Sequence, residues 1–192
     1  MPVLWVLKSK GTRQILPENA FIELGSNIRP EHYLPRAVTK LEPLGKILAV
    51  SNPYQNPAIS ADPQPDYINA AVLIETTHSP LDLRAELRAI ETQLDRVRSA
   101  DKYAPRTIDL DVILYGDMIL EHPLLTLPDE HIYMRPHLAL TLAECDPEHR
   151  HPQTGENLRA IADRLYDPEV LKLRDELDLT AGLQNPPGKN RP

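Results

Sequence analysis

From Thr107 to Tyr115 apolar and acidic residues alternate. Ile108, Leu110, Val112 and Leu114 read as one apolar face, with Asp109 and Asp111 on the other, the pattern of a strand packed on one side only. Such a strand needs a layer beneath its apolar face, and on the opposite face it presents two carboxylates whose Cα atoms lie ~6.5–7 Å apart. Carboxylates so placed repel and raise each other's pKa unless a cation sits between them. Mg²⁺ suits that position because it takes oxygen ligands and keeps waters and phosphates around it. Taken alone, an Asp-x-Asp pair is more often an exposed polar strand face.

The residues just upstream change that balance. Arg96, Arg98, Lys102 and Arg106 fall within eleven residues, opposed there only by Asp101. In the chain as a whole 28 acidic residues outnumber 21 basic ones, for a net charge of −7. Arginine forks bind phosphate oxygens in pairs, and a loop carrying several can close over a polyphosphate whose other side is held by metal. A basic loop joined to a carboxylate pair has the charge layout that phosphoryl transfer requires. Arg96, Arg106, Asp109 and Asp111 are therefore the candidate catalytic residues, and the two aspartates the candidate metal ligands.

The remaining elements follow from periodicity. Residues 20–24 read as a strand running into the turn Gly25-Ser26-Asn27, and Leu34, Ala37, Val38, Leu41 and Leu44 recur at helical spacing. A second strand is expected over 46–51, a proline-rich loop over 52–66, and a buried strand over 67–76. Ser79-Pro80-Leu81-Asp82 carries an N-cap, an N1 proline and an acidic N3 residue. The helix it opens shows one apolar stripe at Leu83, Leu87, Ile90, Leu94 and Val97, with Arg96 and Arg98 at its C-terminal end. Gly116-Asp117 is expected to turn the 107–115 strand into a hairpin with 118–121, and helices are expected over 157–165 and 168–177.

The order, β-α-β-β-α-β-β followed by helices, predicts an α+β sandwich with a ferredoxin-like core, a largely antiparallel sheet with helices packed on it. We expect residues 1–18 to be an N-terminal extension, 19–178 a single domain and 179–192 a disordered tail.

Composition and missing motifs narrow the function. With 41% hydrophobic and 26% charged residues the chain is of the soluble globular class. The apolar start is too short to span a membrane and lacks the basic n-region of a signal peptide. The acidic balance argues against nucleic-acid or membrane partners. A single cysteine, Cys145, excludes an internal disulfide, so we expect a cytoplasmic protein, monomeric or weakly dimeric. No Gly-x-x-x-x-Gly-Lys-Ser/Thr, Gly-x-Ser-x-Gly or His-Glu-x-x-His sequence occurs. Cys145 lies between Glu144 and Asp146, which raise a thiol pKa. His149 and His151 are expected to be structural.

Four stretches, Leu24-Gly25-Ser26-Asn27, residues 64–71 (QPDYINAA), Arg96-x-Arg98 and residues 105–111 (PRTIDLD), occur in the order found in the 6-hydroxymethyl-7,8-dihydropterin pyrophosphokinases of folate biosynthesis, and the chain resembles that family from about residue 20 to 165. The resemblance implies transfer of the β,γ-pyrophosphoryl unit of ATP to the pterin hydroxymethyl group, with release of AMP and two Mg²⁺ ions held by Asp109 and Asp111. It implies nucleotide contacts from Glu91, Arg96, Arg98, Arg106, Val112 and Arg135. For the pterin it implies contacts from Asn56, Pro57, Ile59, Tyr67, Asn69 and His137, with Tyr67 as one face of an aromatic sandwich.

Four positions depart from the family pattern, Tyr103 standing where tryptophan is common and Ser99 where lysine is frequent. Asp129 stands where a phosphate-contacting histidine is usual, and His137 where a phenylalanine opposes Tyr67. A carboxylate at Asp129 repels phosphate unless it binds metal or His131 reaches in as a substitute. The alternatives are a related pterin as acceptor, or a pterin- or nucleotide-binding protein without turnover.

Overall fold

The computed structural model describes residues 16–58, 63–98, 101 and 104–187. Its elements are β1 (Glu18–Ser26), α1 (Pro30–Leu41), β2 (Lys46–Val50), β3 (Tyr54–Asn56), β4 (Tyr67–Thr76), α2 (Pro80–Gln93), β5 (Asp109–Tyr115), β6 (Leu120–His122), β7 (Leu125–Leu127), α3 (Pro136–Cys145), α4 (Leu158–Leu165) and β8 (Lys172–Leu173). Among the described residues no helix is long and apolar enough to cross a membrane.

The main sheet runs β5-β1-β4-β3-β8, and β2 pairs with the other end of the β4 edge that β3 occupies. Every pairing is antiparallel. With α1 after β1 and α2 after β4, this is the expected ferredoxin-like arrangement, extended at its edge by β3 and β8. Strand β4 is central because its residues are apolar toward both faces: Ile68, Ala70, Val72 and Ile74 pack in one core and Ala71 and Leu73 in another.

The two cores divide the molecule into layers. Leu34, Val38 and Leu41 of α1 and Leu83, Leu87 and Ile90 of α2 cover one face of the sheet. On the opposite face Leu138 and Leu142 of α3 and Ile161 of α4 pack over Phe21, Leu73 and Leu114. The part of that second face nearest Gly25, Asn69 and Asp109 carries polar side chains instead, and there the site forms.

Several local expectations are corrected. The α2 stripe ends at Leu94, and Val97 is 82% exposed, because Asp95 takes a left-handed conformation (φ 62°) that halts the helix. Arg96 and Arg98 therefore leave the helix on a loop. Leu114 does not share a face with Leu110 and Val112. The β1–β5 register skips a residue between Ile22↔Val112 and Phe21↔Leu114, and this bulge sends both Ile113 and Leu114 to the α3 side. The β5 strand does not fold back on residues 118–121; β6 pairs with β7 in a separate hairpin.

The loop expected over 52–66 contains β3. Residues 168–177 form turns and β8 rather than a helix, since β3 offers a free edge for Leu173 to pair with Tyr54. Part of the expected tail is packed: Leu179 is buried, Leu183 lies against the same core, and the Gln184 amide donates to Glu42 at 3.0 Å. Residues 188–192 and 1–15 lie outside the described residues.

Candidate functional site

Asp109 and Asp111 open β5 and point away from the α2 core, as the alternation predicts. Across the sheet the register places Asp109 opposite Gly25 and Gly25 opposite Asn69, so one row crosses β5, β1 and β4. Gly25 is small for a steric reason: a Cβ there would sit 2.8 Å from Asn69 Oδ1. The next row holds Asp111 and Glu23, and Glu23 meets His137 Nε2 of α3 at 3.2 Å.

Four guanidinium groups surround the carboxylates. Arg106 Nη1 lies 2.6 Å from Asp109 Oδ2, and Arg96 Nη2 lies 3.8 Å from Asp109 Oδ1. Arg88 Nη2 donates to Asp111 Oδ1 at 2.9 Å, while its Nη1 meets Glu91 at 2.6 Å and stands 3.7 Å from Asp109. Arg98 pairs with the second oxygen of Glu91. Glu91, fully buried at the end of α2, also accepts from the Leu110 amide at 2.9 Å.

Burial, the Asp109 charge and the nearby Glu23 push Asp111 up to about 6, against the opposing pull of Arg88. Two buried polar atoms in this region, Arg96 Nε and Thr107 Oγ1, lack a hydrogen-bond partner among the described residues.

A second cluster adjoins the first. Asn69 Nδ2 donates to Asn56 Oδ1 at 2.6 Å, and Asn56 Nδ2 to the Pro57 carbonyl at 3.1 Å. The Tyr67 ring is covered by the Arg106 guanidinium, 5.9 Å from its centroid. Asn27 joins the clusters. Its Oδ1 accepts from the Arg106 amide at 2.7 Å, and its Nδ2 donates to Gln64 Oε1 at 2.8 Å and to the Pro65 carbonyl at 3.2 Å. Beside Asp111 and Arg88 a cleft of about 340 Å³ is lined by Arg84, Thr126, Asp129 and His131.

The structure thus brings Glu91, Arg96, Arg98, Arg106, Asp109 and Asp111 together, and beside them Asn56, Tyr67 and Asn69. Val112 has its side chain buried in the core beneath the sheet, because it has the opposite strand parity to Asp111, which leaves its main chain as the part that can meet a ligand. His137 Nε2 reaches the Glu23 carboxylate at 3.2 Å. Arg135 caps α3, and its guanidinium has no ion pair among the described residues. Asp129 caps the 3₁₀ turn Glu130–Tyr133 and pairs with His131 Nδ1 at 2.8 Å. Pro57 is exposed at the end of β3, and Ile59 lies outside the described residues.

Sequence reasoning missed Arg88, Glu23 and the role of Asn27. Arg88 stands three residues before Glu91 on a helix, a spacing that pairs side chains, but its meeting with β5 is tertiary.

Other candidate groups are structural. Burial, then Glu144, pushes the Cys145 thiol up, and it donates to the Ala71 carbonyl. His149 packs on Phe21 and His151 on Tyr133, at centroid distances of 4.9 and 5.0 Å. A larger cavity of about 810 Å³ lies between the β2–β3 turn, α3, α4 and the C-terminal segment. Its Glu144 is already taken by Asn52 and Tyr54.

As for a metal, no group of three or more His, Cys, Asp or Glu side chains converges among the described residues. That excludes a cage built wholly of such side chains there. It suits Mg²⁺, which is held by one or two carboxylates while phosphates and waters complete its shell. The donor set of Asp109 and Asp111 fits that ion.

The family model described as 7,8-dihydro-6-hydroxymethylpterin-pyrophosphokinase (HPPK) matches residues 21–147. A Synechocystis sp. protein named 2-amino-4-hydroxy-6-hydroxymethyldihydropteridine pyrophosphokinase is 34% identical over 168 residues, covering 86% of this chain and 85% of that protein. The protein of the same name from Haemophilus influenzae is 37% identical over 128 residues, 65% of this chain and 79% of its own length. Among solved structures, wild-type Plasmodium falciparum HPPK-DHPS with pterin and p-hydroxybenzoate superposes with a TM-score of 0.62 at 16% identity. The match covers 80% of this chain but 44% of that longer one, and at this identity it speaks to the fold alone.

Proposed function

The chain belongs to the 7,8-dihydro-6-hydroxymethylpterin-pyrophosphokinase family, and we propose that it transfers the β,γ-pyrophosphoryl group of ATP to the hydroxymethyl oxygen of 6-hydroxymethyl-7,8-dihydropterin in folate biosynthesis. The products are AMP and the pterin diphosphate. The observation that carries this reading is the carboxylate pair of Asp109 and Asp111 with Arg88, Arg96 and Arg106 within 4 Å of it. Arginines so placed neutralise the charge that spreads over the transferred group.

On this reading Asp109 and Asp111 hold Mg²⁺, which as a Lewis acid withdraws charge from the phosphate oxygens. Arg96 and Arg106 grip the triphosphate, and Arg98 and Arg135 meet it further out. Glu91 holds Arg88 and Arg98 in place from below. Asn69 and Asn56 offer amide donors and acceptors to the edge of the pterin, and Tyr67 offers its ring face once Arg106 turns to the nucleotide.

Incubation with Mg-ATP and 6-hydroxymethyl-7,8-dihydropterin, followed by nucleotide chromatography, tests the reading. AMP and the pterin diphosphate are expected in equal amounts; ADP, or no nucleotide product, rejects it. One observation favours a related pterin as acceptor: His137, standing where the family pattern has phenylalanine, lies 3.2 Å from the Glu23 carboxylate and brings a polar ring to the site. Rates across a panel of 6-substituted pterins separate the two acceptors.

A further inference from the structure

Arg88 lies outside the basic loop, on α2, yet it reaches three carboxylates. One guanidinium nitrogen holds Glu91 at 2.6 Å and stands 3.7 Å from Asp109 Oδ1, and the other holds Asp111 Oδ1 at 2.9 Å. It thus occupies, with a single positive charge, the side of the carboxylate pair that a divalent ion needs. The side chain keeps 26% of its surface exposed, toward the 340 Å³ cleft lined by Arg84, Thr126 and His131 and also by Glu130 and by Asp129, whose carboxylate is engaged by His131 at 2.8 Å. Glu91 is fully buried on the same helix, so the guanidinium can release Asp111 while staying anchored to Glu91.

We propose that Arg88 is a resident counter-cation that keeps free divalent metal off Asp109 and Asp111 and makes metal loading depend on the polyphosphate that accompanies it. The inference rests on the pyrophosphokinase reading for the identity of the polyphosphate. A lone Mg²⁺ approaching the pair meets a cation already bonded to one of its ligands, and its charge repels that cation at close range. A triphosphate arriving with the metal supplies anionic oxygens on the cleft side that take over the guanidinium. Metal and nucleotide then bind with positive coupling, equal in both directions. Arg88 is a positioning residue in this scheme, acting on the reaction through the carboxylates.

Calorimetric titration of Mg²⁺ into nucleotide-free protein reads the effect directly. Arg88→Gln is expected to bind Mg²⁺ on the order of tenfold more tightly than the parent, from the loss of one nearby positive charge. Arg88→Lys, which keeps the charge, should stay near the parent value. Should Arg88→Gln fail to fold, Arg88→Met carries the same expectation. With a non-hydrolysable ATP analogue bound, the gain in Mg²⁺ affinity should be smaller in the variant than in the parent. Adding Asp111→Asn to Arg88→Gln should abolish the increase.

Unchanged Mg²⁺ affinity in both neutral variants overturns the proposal, as does an increase that survives Asp111→Asn. Failure of the pyrophosphokinase reading shows separately, as absence of AMP from the parent protein, and leaves the Mg²⁺ titrations readable.

Discussion

The Glu91 carboxylate accepts a 2.9 Å hydrogen bond from the amide of Leu110, and so ties the last turn of α2 to the peptide between the two aspartates. The same carboxylate holds Arg88 and Arg98. It sets the height of the helix against the strand and the direction of two guanidinium groups at once. Glu91→Ala removes a buried anion and strands a backbone N–H, which should cost about 2–4 kcal/mol of stability. Urea unfolding of the ligand-free protein measures this; a cost under about 0.5 kcal/mol would show that the buried contacts are dispensable.

Asp111→Ala is expected to lower turnover by more than about 100-fold, because it strips an oxygen ligand from the proposed metal site rather than a proton acceptor. Initial rates of AMP release at saturating Mg-ATP test this, and activity near the parent level rejects the metal role.

Arg106→Ala should slow transfer by about 100-fold, through loss of charge stabilisation beside Asp109, while pterin affinity changes much less. A KM for pterin that rises as far as kcat falls would instead assign Arg106 mainly to the Tyr67 wall.

The raised Asp111 pKa of about 6 makes a signed prediction for stability. An unfolded aspartate ionises near 3.9, so between about pH 4 and 6 the folded ligand-free protein holds a proton that the unfolded chain has lost. Ionising Asp111 in the fold costs free energy, so its contribution is least favourable above pH 6 and recovers as the pH falls toward 4. The side chain is 45% exposed, so screening reduces the effect to about 1 kcal/mol. Asp111→Asn should therefore gain about that much on the parent at pH 7 and nothing at pH 4, in paired thermal melts without metal.

Gly25→Ala places a methyl carbon 2.8 Å from Asn69 Oδ1, closer than the two atoms can approach. Asn69 must swing away from its 2.6 Å bond with Asn56. The KM for pterin should rise about tenfold while the KM for Mg-ATP holds, given that one well-placed polar contact is worth roughly 1–1.5 kcal/mol. Steady-state kinetics with each substrate varied in turn separates the two.

The fold could be read from the sequence wherever periodicity and capping agreed. Strand β4 occupies the residues its pattern predicts, and Ser79 accepts from the Asp82 amide as the N-cap spacing requires. Reading failed where one residue reset the geometry. The left-handed Asp95 ends α2 before Val97, and the extra residue in β5 turns Leu114 over. It failed again where a tertiary partner overrode local preference, as when β3 recruits β8 from a stretch that resembles a helix.

The acidic pair and the arginine loop were legible because strand parity and charge density are local properties. Arg88 was not, because nothing local records which strand a helix face will meet. Glu91, Asn56 and Asn69 were reached through family resemblance; their burial and mutual bonds appear only in three dimensions.

Asn27 bonds both to the segment that ends in Arg106 and to the segment of Gln64 and Pro65. On the pyrophosphokinase reading, the segments proposed to meet the nucleotide and the pterin are thus tied through a single amide side chain. On that reading, a shift of the Arg106 backbone on contact with one substrate would reach the strand entry offered to the other, with no contact between the substrates themselves. Any tightening that one substrate confers on the other through this contact is returned in equal measure.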